Sequence, residues 1–338
     1  MKAILRSRYG PPDVLELRDI PTPVPGPGEV LVRIHAASVN RADLDYLTGI
    51  PFLTRMGTGL RAPKHAGLGL DAAGIVEAVG AGVTRFAPGD RVFGNLTQHG
   101  YGAFAEHACA PERAWAPMPA GATFEQAAAL PEAAILAWQG LRGGRSIKPG
   151  DSVLVNGASG NVGPFAVQLA KSFGATVTGV CSTRKMDFVR SLGADHVIDY
   201  SRDDYTRLGT RYDYILDITA RRSFLAPRRA LKPRGRYVMV GGTTGAIFEG
   251  LLLGPLLSLA TNRKLGLMLW WKPFDPKDVA TLSALLETGA IRPVIDRRYP
   301  LAGVPDALRD VAAGRPMGKL IIAVRGEEPE NEPAAGEI

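Results

Sequence analysis

The run Val153-Leu154-Val155-Asn156-Gly157-Ala158-Ser159-Gly160-Asn161-Val162-Gly163 constrains the fold more than any other stretch of the chain. Its apolar start reads as a buried strand, its glycines as a tight turn, and Pro164–Phe173 behind it as an amphipathic helix. The spacing Ala158-x-Gly160-x-x-Gly163 is a G-x-G-x-x-G variant with Ala first. Between a strand and a helix, such a turn lets backbone approach a pyrophosphate at Gly160. It also packs the helix close at Gly163 and offers the amides and positive dipole of a helix N-terminus. Ser159, Gly160, Asn161, Val162 and Gly163 are therefore candidate cofactor contacts. A plain strand–helix turn is the bland alternative, which the flanking strand and helix disfavour.

The same alternation continues downstream. Thr176–Cys181, Val197–Ile198, Tyr212–Asp217 and Arg236–Val240 read as strands, with helices at Met186–Leu192 and around Phe224–Leu231. Strands alternating with helices imply a parallel sheet with right-handed crossovers. The first 120 residues or so read differently. Short apolar or alternating runs are separated by turns such as Pro21–Gly28 and Pro88-Gly89-Asp90, which suits a barrel-like β unit. Thr123 reads as an N-cap with Phe124 to Gly140 helical behind it. Pro276–Glu287 reads as a last helix, before short strands near Val294–Tyr299 and Leu320–Val324. At 338 residues the chain is long enough for two domains.

At the end of the second α/β strand, an NAD-selective fold places an acid for the ribose 2′-hydroxyl. Here the run is Val180-Cys181-Ser182-Thr183-Arg184-Lys185, with no acid before Asp187. A hydroxyl and two cations suit a 2′-phosphate, so Ser182, Arg184 and Lys185 point to NADPH (NADP). Two cations at a helix start are otherwise mildly unfavourable, which argues against a merely solvated face.

Composition narrows the class. The net charge is +7; the last fourteen residues carry five Glu against one Arg, which leaves +11 on the body and marks 327–338 as an acidic, disordered tail. The basic residues are scattered without interleaved aromatics, so nucleic acid is not an expected partner. Two cysteines 72 residues apart exclude a disulfide framework. No apolar signal segment opens the chain, and Leu251 to Ala260 falls short of the ~20 residues of a membrane span. A cytoplasmic, membrane-free protein is the expectation.

Several stretches carry a resemblance. Pro27-Gly28-Glu29-Val30-Leu31-Val32, Ala37-Ser38-Val39-Asn40, Gly69-Leu70-Asp71-Ala72-Ala73-Gly74, Pro88-Gly89-Asp90-Arg91-Val92, Leu192–Tyr200 and Val240-Gly241-Gly242 resemble the medium-chain dehydrogenase/reductase superfamily, in its zinc-free, NADPH-dependent quinone-oxidoreductase-like branch. The likeness runs from Tyr9 to Leu320. It implies an α/β fold, a Rossmann doubly wound parallel sheet plus a GroES-like β-barrel catalytic domain. The expected bounds are 1–121 with 272–326 for the catalytic domain and 122–271 for the Rossmann domain, with the active site between them.

Zinc-dependent relatives place a cysteine where this chain has Asn40 and a His-Glu pair where it has Leu70-Asp71. A lone Asp71 cannot supply three ligands, and His65, His99 and His107 lack a ligand spacing, so no metal is expected. Hydrogen-bond donors must then stabilise developing charge. The resemblance points to Asn40 as a catalytic residue. Tyr46 is the second candidate, with packing beneath its loop as the alternative, and Asp43 is expected to cap the segment. Position in the family pattern adds Tyr200 beside the adenosine phosphate, Gly241 and Gly242 near the nicotinamide, and Lys319 near a phosphate. The implied activity is hydride transfer from NADPH to a small-molecule quinone or α,β-unsaturated carbonyl. An enoyl-thioester reductase, an alcohol dehydrogenase-like enzyme and a non-catalytic NADPH-binding protein stay open. Thr261–Trp271 resembles the last edge strand of the Rossmann sheet, the expected seam of a homodimer.

Overall fold

The computed structural model describes residues 1–143 and 145–325; the acidic-tail reading of 327–338 lies outside the described residues. The glycine-rich turn sits in a six-stranded, all-parallel sheet. Its strands are β8 (Ser152–Asn156), β9 (Thr176–Cys181), β10 (His196–Asp199), β11 (Tyr212–Asp217), β12 (Leu231–Met239) and β13 (Lys264–Leu267), in the order β10-β9-β8-β11-β12-β13. Counted along the chain this is the 3-2-1-4-5-6 order of a doubly wound dinucleotide fold. The order reverses between β8 and β11. That places the crevice at their carboxyl ends, beside Asn156 and Asp217.

The helices on this sheet are α4 (Pro131–Leu141), α5 (Gly163–Ser172), α6 (Met186–Ser191) and α7 (Thr244–Ala260). The single helix expected over Phe124–Gly140 is divided into α3 (Phe124–Ala128) and α4, because Pro131 takes a first-turn position where its missing N–H leaves no bond unmade. The helix expected around Phe224–Leu231 is a 3-10 turn at Pro227–Ala230, after which Leu231 already belongs to β12. The apolar run Leu251–Ala260 is the second half of α7, with Pro255 inside the helix.

The second sheet draws on both ends of the chain. It joins β3 (Glu29–Val39), β4 (Asp71–Val79), β5 (Arg91–Asn95) and β7 (Trp115–Pro117) to β14 (Ile295–Pro300) and β15 (Lys319–Ala323). The order is β14-β15-β3-β4-β5-β7, with β6 (His107–Pro111) also on β3; β1 (Lys2–Leu5) and β2 (Glu16–Asp19) pair separately. Val30, Val32, Ile34, Val39, Leu320 and Ile322 share one buried apolar cluster, so the last strand of the chain is a core member of this second sheet, beside β3. Three further helices, α1 (Arg41–Thr48), α8 (Pro276–Glu287) and α9 (Val304–Ala312), matter below. Asp275 caps α8 by accepting from the Lys277 and Asp278 amides, and the helix has the expected bounds.

Candidate active site

Neighbouring strands place one row of polar side chains at the end of the second sheet that faces the dinucleotide turn. Leu320 of β15 pairs with Val39, Ser38 of β3 pairs with Asp71, and Asp71 of β4 pairs with Asn95. Lys319, Asn40, Asp71 and Asn95 therefore lie side by side, each within 3% of full burial. The Asn40 amide is held by three partners. Its Oδ1 accepts from Lys319 Nζ at 2.7 Å and Asn161 Nδ2 at 2.8 Å, while its Nδ2 donates to Asp71 Oδ2 at 2.9 Å. Two donors on the oxygen and one acceptor on the nitrogen fix its orientation, and leave a second N–H on Nδ2.

Asp71 takes four donors. Asn95 Nδ2 reaches Oδ1 at 2.8 Å; Ser38 Oγ, Asn40 Nδ2 and the Glu132 backbone N–H reach Oδ2 at 3.2, 2.9 and 3.2 Å. The Glu132 amide lies in the first turn of α4, where the helix dipole also favours negative charge. The Lys319 ammonium stands 3.8 Å from Asp71 Oδ2. Burial raises the Asp71 pKa, opposed by Lys319 and the donated bonds, and burial lowers that of Lys319. With four donors and a cation, Asp71 is the carboxylate of this cluster that keeps its charge. Two other buried acids lie close by. Burial pushes Glu132 and Asp43 each up to about 8, and the neighbouring Asp71 adds to both shifts, so these two carry protons at neutral pH. Asp43 Oδ2 accepts from the Asn40 backbone N–H at 2.7 Å, the capping role expected of it at the start of α1.

Tyr46, on α1, is half-buried, with its ring centroid 5.2 Å from that of Tyr101; His65 meets Tyr101 edge-on at 5.9 Å. Burial, then Glu132, raise its phenol pKa. Tyr46 thus packs in an aromatic group and also adjoins the acidic cluster. Arg6, from β1's end, donates to the Tyr46 carbonyl and ties down the segment that carries it. Tyr101 holds a positive φ of 67°, between Gly100 and Gly102, which aims its ring at Tyr46. Nothing in the sequence pattern singled out Tyr101, Asn95 or Glu132. Only the strand register and the α4 terminus bring them in.

The dinucleotide turn is built as its motif requires. Gly157 has φ +86°. A Cβ on Gly163 would lie 2.3 Å from the Gly157 carbonyl oxygen, so only glycine permits this tight strand–helix junction. At Gly160 a Cβ would meet only that same oxygen at 3.7 Å, which leaves an open backbone face at the helix start. That face fits a pyrophosphate. Ser159 and Val162 are buried beneath it, and the Ser159 carbonyl accepts from the Gly318 N–H at 3.3 Å. Gly241 and Gly242 follow β12, where a Cβ on Gly242 would lie 2.5 Å from the Ala220 carbonyl oxygen at the crevice.

At the carboxyl ends of β9 and β10, Ser182 is half-buried, Arg184 exposed, and Tyr200 58% exposed. Two expectations need correction here. Lys185 is not a free surface cation: it is 6% exposed, and its ammonium donates to the Gly314 and Pro316 carbonyls at 2.9 and 2.6 Å. It ties the loop after α9 to the β9 turn. Lys319 is not poised for a phosphate either, because its ammonium is buried on Asn40 and beside Asp71. The edge strand expected over Thr261–Trp271 is only Lys264–Leu267, since backbone pairing to β12 covers four residues.

Comparison with known proteins agrees with this geometry. The alcohol dehydrogenase GroES-like domain family matches residues 26–120, and a zinc-binding dehydrogenase family matches 192–322. The human quinone oxidoreductase is 32% identical over 95% of this chain and 97% of its own. Among solved structures, the quinone oxidoreductase of Coxiella burnetii is 31% identical with a TM-score of 0.85, covering 96% of this chain and 99% of that one. The Escherichia coli quinone oxidoreductase complexed with NADPH is 27% identical with a TM-score of 0.84, covering 96% and 100%. The chain belongs to the medium-chain dehydrogenase/reductase superfamily, in its quinone-oxidoreductase-like branch, and is an oxidoreductase.

Proposed function

We propose that this protein is an NADPH-dependent, zinc-independent reductase that transfers hydride to a quinone or an α,β-unsaturated carbonyl. The observation that carries the reading is the Asn40 amide, locked between the dinucleotide turn through Asn161 and the buried ion pair through Lys319 and Asp71. When bound, the nicotinamide supplies the hydride. Gly160 and its neighbours would hold the pyrophosphate, and Gly241 and Gly242 would lie beside the crevice end of the cofactor. The second Asn40 N–H is the donor for oxygen charge that builds as the acceptor is reduced. Tyr46 borders the same space, and its raised pKa keeps it a proton-bearing phenol at neutral pH. Zinc independence is supported by the donor set: an amide stands where relatives have cysteine, with an ammonium on its oxygen. Among the described residues, no three His, Cys, Asp or Glu side chains are grouped as a metal requires.

NADPH selectivity rests on Ser182, Arg184 and Tyr200; Arg184 is the exposed cation, reaching the Gly314 carbonyl only at 3.4 Å, whereas Lys185 is buried on the Gly314 and Pro316 carbonyls. One charge-assisted contact contributes about 1.5–3 kcal/mol, and exposure to salt favours the lower end, or roughly tenfold. Arg184→Ala therefore raises the NADPH dissociation constant about tenfold at low salt and leaves that for NADH unchanged. Lys185→Ala weakens both cofactors alike by loosening the loop after α9. Equal binding of NADH and NADPH by the wild type at low salt contradicts the selectivity.

The same proposal includes a homodimer. Among the described residues one side of β13 is an unpaired sheet edge, and α7 beside it presents Leu252, Leu256 and Leu259 at 70%, 62% and 84% exposure. No helix among the described residues is long and apolar enough to cross a membrane. A two-fold pairing of β13 with a second copy brings both apolar faces together. Light scattering at micromolar concentration then gives twice 36.0 kDa. Leu256→Asp with Leu259→Asp shifts the protein to monomer; a wild-type monomer refutes this assembly.

A further inference from the structure

We propose that Lys319 is a positioning residue, an internal cation that sets the orientation of the Asn40 amide and through it couples the reaction centre to the dinucleotide turn. The proposal deepens the functional reading above and rests on it for the role of Asn40. Its starting point is the position of the ammonium. Lys319 is 1% exposed, opens the last strand, and donates to Asn40 Oδ1 at 2.7 Å. Asn161, from the dinucleotide turn, donates to that same oxygen at 2.8 Å. An amide flipped about its end would turn its NH2 group toward both donors and its oxygen toward the Asp71 carboxylate. The cation therefore excludes the flip, and the one free N–H of Nδ2 keeps a single direction.

A metal at this end of the sheet would hold its ligands through a point of positive charge; here the point charge is an ammonium at the end of a strand already paired to β3. A single side chain also accounts for the backbone. The residue before it, Gly318, donates to the Ser159 carbonyl, so the strand that carries the cation also touches the turn it organises. The lysine acts through Asn40. It does not meet substrate or cofactor.

The test is a double-mutant cycle between Lys319→Met and Asn40→Ala, read in two quantities: kcat for enone reduction and the NADPH dissociation constant from fluorescence titration. Lys319→Met alone leaves Asp71 without its cation, so the cycle is repeated on an Asp71→Asn background, with thermal melting to establish folding. The expected result is that each single change lowers kcat about 100-fold, with little change in the acceptor KM, and that the double variant is no worse than Asn40→Ala. The NADPH constant should rise severalfold in each single variant, again without further loss in the double. Adding Asp71→Asn should recover the melting temperature but not kcat, which a role confined to charge balance would restore. Multiplicative losses overturn the proposal. So does a rise in the NADPH constant that becomes smaller with salt, since that marks a direct phosphate contact. If the wild type reduces neither enone nor quinone, the functional reading fails, and the cycle in NADPH affinity still decides the coupling.

Discussion

Asn40→Ala lowers kcat for reduction by about 10²–10³-fold, the loss typical of one oxyanion donor, with a smaller change in acceptor KM. The size follows from how little else near the acceptor donates apart from Tyr46. Lys319 and Asn161 are spent on Asn40 Oδ1, and Asn95 on Asp71 and Glu132. Asn40→Asp should be as damaging, because a second carboxylate would face Asp71 across 2.9 Å. Steady-state rates with a saturating cofactor, alongside melting curves, separate the two effects. A kcat within threefold of wild type in a folded Asn40→Ala protein removes Asn40 from the chemistry.

The second large effect is on stability. Glu132 and Asp43 hold their protons up to about pH 8 in the folded chain, against about 4 for exposed carboxyls. Both pKa values are raised by folding, so the folded state binds more protons than the unfolded one. Their contribution is fully present below about pH 4 and is lost as pH rises to about 8. Each pH unit in that window costs roughly 1.4 kcal/mol per group, with the two acids titrating as a coupled set. Glu132→Gln keeps an oxygen for Asn95 but has no proton to lose. Between pH 5.5 and 8.5 it should therefore gain on the order of 3 kcal/mol relative to wild type. Parallel melting profiles of the two proteins across that range would mean that Glu132 is ionised in the fold.

Much of this was legible in the sequence where a local rule is self-sufficient. The strand–turn–helix from Val153 to Phe173 carries its own periodicity and its own glycine requirement, and Gly163 shows the requirement in a 2.3 Å clash. Thr123 announces a helix start because its cap is a contact between residues three apart, whereas the cap at Asp275 came only with the structure. Pro131 divides a helical pattern for an equally local reason, although hydrophobic periodicity alone ran straight through it. The site depends on register instead. Asn95 and Asp71 are 24 residues apart, and Lys319 and Asn40 are 279 apart, so only sheet pairing assembles them. Lys185 illustrates the limit in the other direction. Its place in the chain suits a phosphate, but the carbonyls of Gly314 and Pro316 already claim its ammonium.

Turnover with NADPH across a panel of acceptors tests the central claim most directly. The panel is 1,4-benzoquinone, 9,10-phenanthrenequinone, a 2-alkenal and crotonyl-CoA, with simple alcohols and NADP in the reverse direction. Oxidation of NADPH by the quinones or the 2-alkenal, at rates well above those with crotonyl-CoA or alcohol and unaffected by chelators, is the predicted result. Alcohol oxidation dominating the panel, or activity that is abolished by chelation and restored by zinc, would contradict it.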